Sequence, residues 1–375
     1  MDPTEIAVVG GGVIGLALAE RLAADGREVT IVDESPGAGA TAVAAGMLAP
    51  VTEVHFGEEE LLRLNLASSE MYGGWVAGLE DATGLATGYR SSGTLMVARD
   101  LDDNSALEDL FRFQLGLGLA VERLKGRDCR EIEPALAPSV RGGILVAGDH
   151  QIDPQALATA LLAACHSRGV RMEMARARSI VVEADALRGV MLSNGEMLET
   201  STVIVAAGAW SGSIGGVRRL PVRPVKGQLL RFSARGAPLP LVHNIRGLDA
   251  YLVPRADGRM VVGATVEELG FDDAVTAGAV RDLMQAAYEL VPGITELRFD
   301  AALAGFRPGT PDNAPFIGPT EVEGLVAATG HYRNGILLAP VTAEAIAALF
   351  STGRVTEVAR PFSPLRVKTE PKVDA

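Results

Sequence analysis

Two patterns of apolar residues divide this chain. At both ends, short unbroken apolar runs lead into glycines and then into stretches of helical period: Ile6-Ala-Val-Val9 near the start and Leu325-Val-Ala-Ala-Thr329 near the end. Runs without alternation suit parallel strands buried on both faces. Between about Leu220 and Thr265 the pattern alternates instead, in Gly227-Gln-Leu-Leu-Arg-Phe232, Ala250-Tyr-Leu-Val-Pro254 and Arg259-Met-Val-Val-Gly-Ala264. Alternation predicts antiparallel strands with one face covered. Helical period predicts helices over Glu58 to about Glu80, Thr276 to Val291 and Ile336 to Phe350. A further helix should run from Asp153 through Cys165, with Asp153 as its cap and Pro154 in its first turn. Residues 87–147 read as short strands around a helix, including Gly93-Thr-Leu-Met-Val-Ala98. The strands Val170–Met174 and Ser179–Val182 lead through a turn at Ser193-Asn194-Gly195 to the run that starts at Thr202 and ends in Ala-Ala-Gly208. That run is expected to be a central strand aimed at the same crevice as the first.

The first strand runs into Gly10-x-Gly12-x-x-Gly15. Gly10 permits a tight turn, Gly12 lets a pyrophosphate approach the backbone, and Gly15 allows close helix–strand packing. The helix N-terminus adds free N–H groups and a positive dipole end. The next strand ends at Asp33, where a ribose-binding acid is expected, with Glu34 as the fallback. This motif does not separate NAD from FAD. The segment from Ser35 to Pro50 is almost entirely small residues and too apolar to be solvated, which suits a backbone lying along a flat ligand. The expected class is therefore mixed α/β, a Rossmann-like domain with an inserted antiparallel-sheet domain.

Composition narrows the partners. The 375 residues are 48% hydrophobic and 22% charged, enough for two packed domains. A net charge of −13 opposes nonspecific attraction to nucleic acid or an anionic membrane. Cys129 and Cys165 have no metal-ligand spacing, and no metal site is expected. The N-terminus lacks a basic region before its apolar run, which is also too short to span a bilayer. A cytoplasmic location is expected. No subunit interface is legible, and a homo-oligomer stays open.

Several longer motifs occur in a fixed order: Gly10-Gly-Gly-Val-Ile-Gly15, Ala44-Ala-Gly-Met-Leu-Ala-Pro50, Tyr251-Leu-Val-Pro-Arg255, Val261-Val-Gly-Ala-Thr265, Ala304-Gly-Phe-Arg-Pro-Gly-Thr310 and Gly330-His-Tyr-Arg-Asn-Gly-Ile-Leu-Leu-Ala-Pro340. Together they resemble the glycine oxidase family of the thiamine pathway, within the D-amino-acid oxidase and sarcosine oxidase superfamily. The resemblance spans about residues 5 to 350, with Gly330–Pro340 its most specific part. It implies an FAD-binding domain over 1–85, 141–219 and 302–365 and a substrate domain over 86–140 and 220–301. Residues 366–375 are charged and expected to be disordered.

By this resemblance Gly10, Gly12, Val13, Ile14, Gly15, Asp33, Glu34, Ala40 and Thr41 bind the adenosine and pyrophosphate, with Ser179 touching adenine. Ala45, Gly46 and Met47 lie along the flavin, as do His331, Tyr332, Arg333, Asn334, Gly335, Ile336 and Leu337, while Gly208 closes the crevice. Arg307 matches the arginine that binds the substrate carboxylate, Tyr251 the tyrosine that assists it, and Arg333 an active-site arginine beside the flavin. Asp249 and Val266 depart from the family pattern and are expected near the substrate entrance. The implied reaction removes a hydride from the α-carbon of glycine or a small amine, with oxygen as acceptor. Such chemistry needs no protein nucleophile and suits a chain whose five histidines form no motif. Two other readings stay open: a dehydrogenase of the same fold with a non-oxygen acceptor, and a flavin-stabilised binding protein without turnover.

Overall fold

A computed structural model describes residues 4–183, 186–216, 220–237 and 239–367. The strand Ile6–Val9 lies near the middle of a six-stranded sheet, between Val203–Val205 and Val29–Val32. Leu325–Thr329 lies beside Val203–Val205 and Arg171–Glu173 beside Val29–Val32, all parallel. Only Phe316–Pro319, on one edge, runs antiparallel. The unbroken apolar runs have the expected cause. Every residue of Ile6–Val9, Val29–Val32 and Leu325–Thr329 is buried. Against this sheet pack the helices Val13–Ala24, Pro154–Ser167, Ala339–Thr352 and the long Glu59–Thr83, which share one core.

A second sheet of eight strands starts with Arg298–Gly309, Arg223–Ser233, Arg259–Gly263 and Tyr251–Pro254. It continues through Asn244–Arg246, Thr94–Ala98, Gly142–Val146 and Glu122–Lys125. It is antiparallel except at Asn244–Arg246 with Thr94–Ala98, which pair in parallel across a long chain excursion. The helix Ala277–Leu290, capped by the Thr276 hydroxyl, covers one face with its apolar stripe of Leu283, Ala287 and Leu290. The expected domain limits at 140 and 301 fall beside and within strands of this sheet, Gly142–Val146 and Arg298–Gly309.

Two expectations need correction. The last helix begins at Ala339 rather than Ile336, and residues 334–338 form tight turns. Pro340 explains this. It has no N–H and is tolerated in a first turn but not one turn further in. At the C-terminus, Arg366 is anchored rather than loose. It pairs with Asp312 at 2.8 Å and stacks over the Phe316 ring at 4.3 Å. Residues 368–375 lie outside the described residues.

Candidate active site

A cavity of about 760 Å³ runs between the carboxyl ends of the parallel strands and the face of the eight-stranded sheet. Its walls bring together Gly10, Gly12, Val13, Ile14, Asp33, Glu34, Ala40, Thr41, Ala45, Gly46, Met47, Gly208, Tyr251, Arg307 and the stretch His331–Ile336. Gly10 takes φ +109°, and a Cβ there would strike the Ala206 carbonyl. Gly15 does not line the cavity. A side chain at Gly15 would collide with the Gly10 carbonyl, so it serves helix–strand packing. No side chain caps the helix that follows, although the Thr41 hydroxyl accepts the Val13 N–H at 2.9 Å. Asp33 accepts the Gly11 and Ser35 N–H groups, both at 2.7 Å. Those bonds give Asp33 a structural part in the turn. Glu34 beside it pairs with Arg176 at 2.9 Å on the cavity rim.

Besides Gly15, two sequence-predicted positions fall outside the walls. Ser179 forms an isolated strand bridge to Gly215, and its neighbours Ala177 and Arg178 line the cavity instead. Leu337 is buried beneath the wall, where its carbonyl accepts the Ser68 hydroxyl at 2.6 Å. One residue earlier, the Ile336 carbonyl accepts the Tyr72 hydroxyl at 3.0 Å. His331 shares a 3.0 Å hydrogen bond with Thr342, and burial pushes its pKa down to about 3, so it stays neutral. Asp249 and Val266 do not reach the cavity either. Asp249 pairs with Arg99 at 2.6 Å on the surface, and Val266 is exposed beyond Thr265.

The cradle around residues 39–47 rests on two arginines that the sequence did not single out. Arg231 donates to the Ala42 carbonyl. Arg255, from the Tyr251–Arg255 motif, donates to the carbonyls of Ala45 and Ile152, the latter at 2.8 Å. A Cβ at Gly46 would meet the Ile152 carbonyl, so this backbone cannot be thickened. The glycine at 208, by contrast, has φ +52° and nothing near its missing Cβ. The cavity fits the FAD that the resemblance implies: a helix N-terminus and small residues line it, Asp33 and Glu34 stand at the glycine turn, and Arg307 and Arg333 stand with Glu53 at the other end.

At that other end, Arg307 donates to the carbonyls of Thr265 at 3.0 Å and Lys226 at 3.4 Å. No carboxylate pairs with it among the described residues. Tyr251 stands beside it. Burial raises the tyrosine pKa, against the pull of the Arg307 and Arg246 charges, so the hydroxyl keeps its proton. Arg333 stacks against Tyr332 at 5.0 Å and faces Glu53 and Glu58, each at 3.4 Å. Tyr332 holds φ +45°, an uncommon conformation for a bulky residue and one often found at functional sites. Glu53, also missed in the sequence, lines the cavity and pairs with Arg246.

Among the described residues no group of His, Cys, Asp or Glu is placed to hold a metal, and no helix is long and apolar enough to cross a membrane. Both cysteines are buried and free.

Comparison with known proteins agrees with this geometry. The bifunctional protein ThiO/ThiG of Nostoc sp. is 37% identical over 92% of this chain, which spans about half that relative's length, 52%. The glycine oxidase of Geobacillus kaustophilus is 33% identical over 96% of this chain and 97% of its own. Its crystal structure superposes with a TM-score of 0.91 over 98% of this chain and 100% of that one. An iminodiacetate oxidase from Chelativorans sp. is 25% identical, with a TM-score of 0.86 over 96% of this chain and 99% of its own. The family described as FAD dependent oxidoreductase (DAO) matches residues 5–349. A match of that extent, on this fold, means that the chain belongs to the DAO family of FAD-dependent oxidoreductases.

Proposed function

We propose that this chain is an FAD-dependent oxidase that converts glycine, and small amines such as sarcosine or small D-amino acids, to the imine. Water then gives glyoxylate or the 2-oxo acid and ammonia (an amine from an N-alkylated substrate), and oxygen is reduced to hydrogen peroxide. The observation that carries this reading is Arg307, a guanidinium without a carboxylate partner among the described residues, at the end of the cavity opposite the glycine turn. A planar fork in that state suits two charge-assisted bonds to a substrate carboxylate. The neutral Tyr251 hydroxyl adds a donor beside it. Bound FAD would accept the hydride from the substrate α-carbon and pass its electrons to oxygen.

The protein's own contribution is orientation. Arg307 and Tyr251 would hold the carboxylate, the segment 331–336 would form one wall of the flavin site, and Ala45–Met47 would lie along it. Arg231 and Arg255 fix that second segment from the substrate sheet. His331, held neutral, supplies packing and a hydrogen bond rather than proton transfer. We assign FAD to the parallel-sheet part and substrate to the eight-stranded part, with Arg307 carried by a strand of the latter. A second reading, a dehydrogenase with another acceptor, keeps every residue role and changes only the oxidant.

The fused relative suggests a destination for the imine in thiazole formation for thiamine, in the cytoplasm. The test is a peroxide assay across glycine, sarcosine and small D-amino acids. Stoichiometric peroxide and glyoxylate from glycine support the oxidase, and glycine-dependent flavin bleaching without peroxide supports the dehydrogenase.

A further inference from the structure

The substrate end of the cavity holds a charge arrangement that carboxylate binding alone does not require. Arg307, Arg333 and Glu53 line it, and Arg246 and Glu58 stand outside the wall against Glu53 and Arg333, which gives three arginines and two carboxylates. Glu53 pairs with Arg246 and faces Arg333 at 3.4 Å, while Glu58 faces Arg333 at 3.4 Å. Arg246 is half-buried, and desolvation with the Arg333 charge pulls its pKa down to about 10, which leaves it ionised near neutrality. The nearby His55 has its pKa lowered by burial first and by Arg333 second, which favours its neutral form. Tyr251, directly across the strand pair from Arg246, also keeps its proton and stands between that arginine and Arg307. The surplus is a single positive charge, on Arg307, whose contacts are carbonyls.

We propose that Glu53 sets the charge tolerance of this pocket: by neutralising Arg246 and Arg333 it admits amines with one carboxylate and rejects those with a second anionic group. This rests on the carboxylate site proposed at Arg307. A second anion placed beyond the first would meet no free cation and would face the Glu53 carboxylate in a low-dielectric wall, where like charges repel strongly. Glu53 cannot swing aside easily. The two preceding residues donate their N–H groups to buried Asp149, Val51 at 3.1 Å and Thr52 at 2.7 Å, and Gln114 donates to the Val51 carbonyl at 3.1 Å. The wall also holds an unused donor. Arg333 Nε is buried 3.4 Å from a Glu53 oxygen, an ion-pair contact that falls short of a hydrogen bond and leaves its N–H available. With Glu53 neutral, Arg246 and Arg333 would form a second anion site beside the first.

The test uses the FAD-loaded protein and two unreactive probes, acetate with one carboxylate and malonate with two, titrated by the change in the flavin absorption spectrum. Wild type should bind acetate more tightly than malonate. In Glu53→Gln the malonate affinity should rise by about tenfold or more relative to acetate, since a like-charge contact is worth several kcal/mol. Arg333→Gln should move the ratio the other way, because Glu53 then keeps only one counter-charge. That variant decides the matter if Glu53→Gln does not retain flavin. A wild type that binds malonate as well as acetate, or ratios unchanged in the variants, would overturn the proposal while leaving the Arg307 site intact. A wild type that binds neither probe would overturn both.

Discussion

In the proposed site Arg307 acts through two features, its fork and the lack of a competing carboxylate among the described residues. Arg307→Ala should impair glycine capture while FAD stays bound, because the guanidinium lines the substrate end and not the glycine turn. Truncating one partner of a buried charged pair costs about 2–5 kcal/mol. That corresponds to a loss of apparent affinity of about 30-fold to over 1,000-fold, read by stopped-flow flavin reduction. Arg307→Lys should recover only part, since an ammonium keeps the charge without the fork. A normal glycine affinity in the alanine variant would remove Arg307 from the site. Arg307 and Tyr251 were legible because each sits within a short motif whose neighbours constrain it. Glu53 was not, and neither was the part played by Arg255, which the motif around Tyr251 contains, for a physical reason. Glu53 acts through Arg246, 193 positions away, and Arg255 acts through Ala45, 210 positions away. Glu53 carries no local signature that separates it from a surface charge, and the motif around Arg255 does not show the carbonyls it holds. Asp33 lines the cavity where its spacing suits a ribose, and its carboxylate also ties the turn through Gly11 and Ser35, which the spacing alone does not show.

The segment 331–338 is held by the elements around it rather than by its own regularity. The helix Glu59–Thr83 supplies Ser68 and Tyr72 to its carbonyls, and the last helix supplies Thr342 to His331. Tyr72→Phe leaves the Ile336 carbonyl without its buried donor, at a cost of about 1–3 kcal/mol. Urea unfolding should show that loss, with weaker FAD retention beside it. An unchanged midpoint would mean that the carbonyl finds another partner. His331 gives a pH signature. Its folded pKa of about 3 lies below the usual 6.5, so stability is complete above that usual value and is lost as pH falls below it. Between pH 7 and 5 the loss amounts to about 2 kcal/mol. Asp149 runs the other way. Burial raises its pKa to about 6, so its ionisation lowers stability as pH rises from about 4 to about 6. The measurement is therefore a difference: the stability of wild type minus that of His331→Gln should fall by about 2 kcal/mol from pH 7 to pH 5. Parallel curves would contradict a neutral buried histidine. At this scale most elements were legible from period and caps, including the Asp153 cap, whose side chain accepts the Gln155 and Ala156 N–H groups. The early start given to the last helix ignored Pro340, although that signal was present in the sequence.

In the whole molecule, one sheet carries the glycine turn and the other carries Arg307, so the cavity lies where the two meet. The unbroken and alternating apolar runs separated these sheets in the sequence. They did not reveal the parallel pairing of Asn244–Arg246 with Thr94–Ala98, because pairing across so long an excursion leaves no local periodicity. Both cysteines are buried, and burial raises Cys129 to about 11 and Cys165 to about 12, away from reactive thiolates. FAD should accordingly be bound without a covalent cysteine link. After denaturation and precipitation the yellow colour should stay in the supernatant, and colour in the pellet would contradict this. The most direct test of the account mixes the FAD-loaded protein with glycine under anaerobic conditions and then admits oxygen. The account predicts that glycine bleaches the oxidised flavin band and that oxygen restores it, with one peroxide formed for each glyoxylate. An oxidised band that glycine leaves unchanged at saturating concentration, while FAD remains bound, would contradict it.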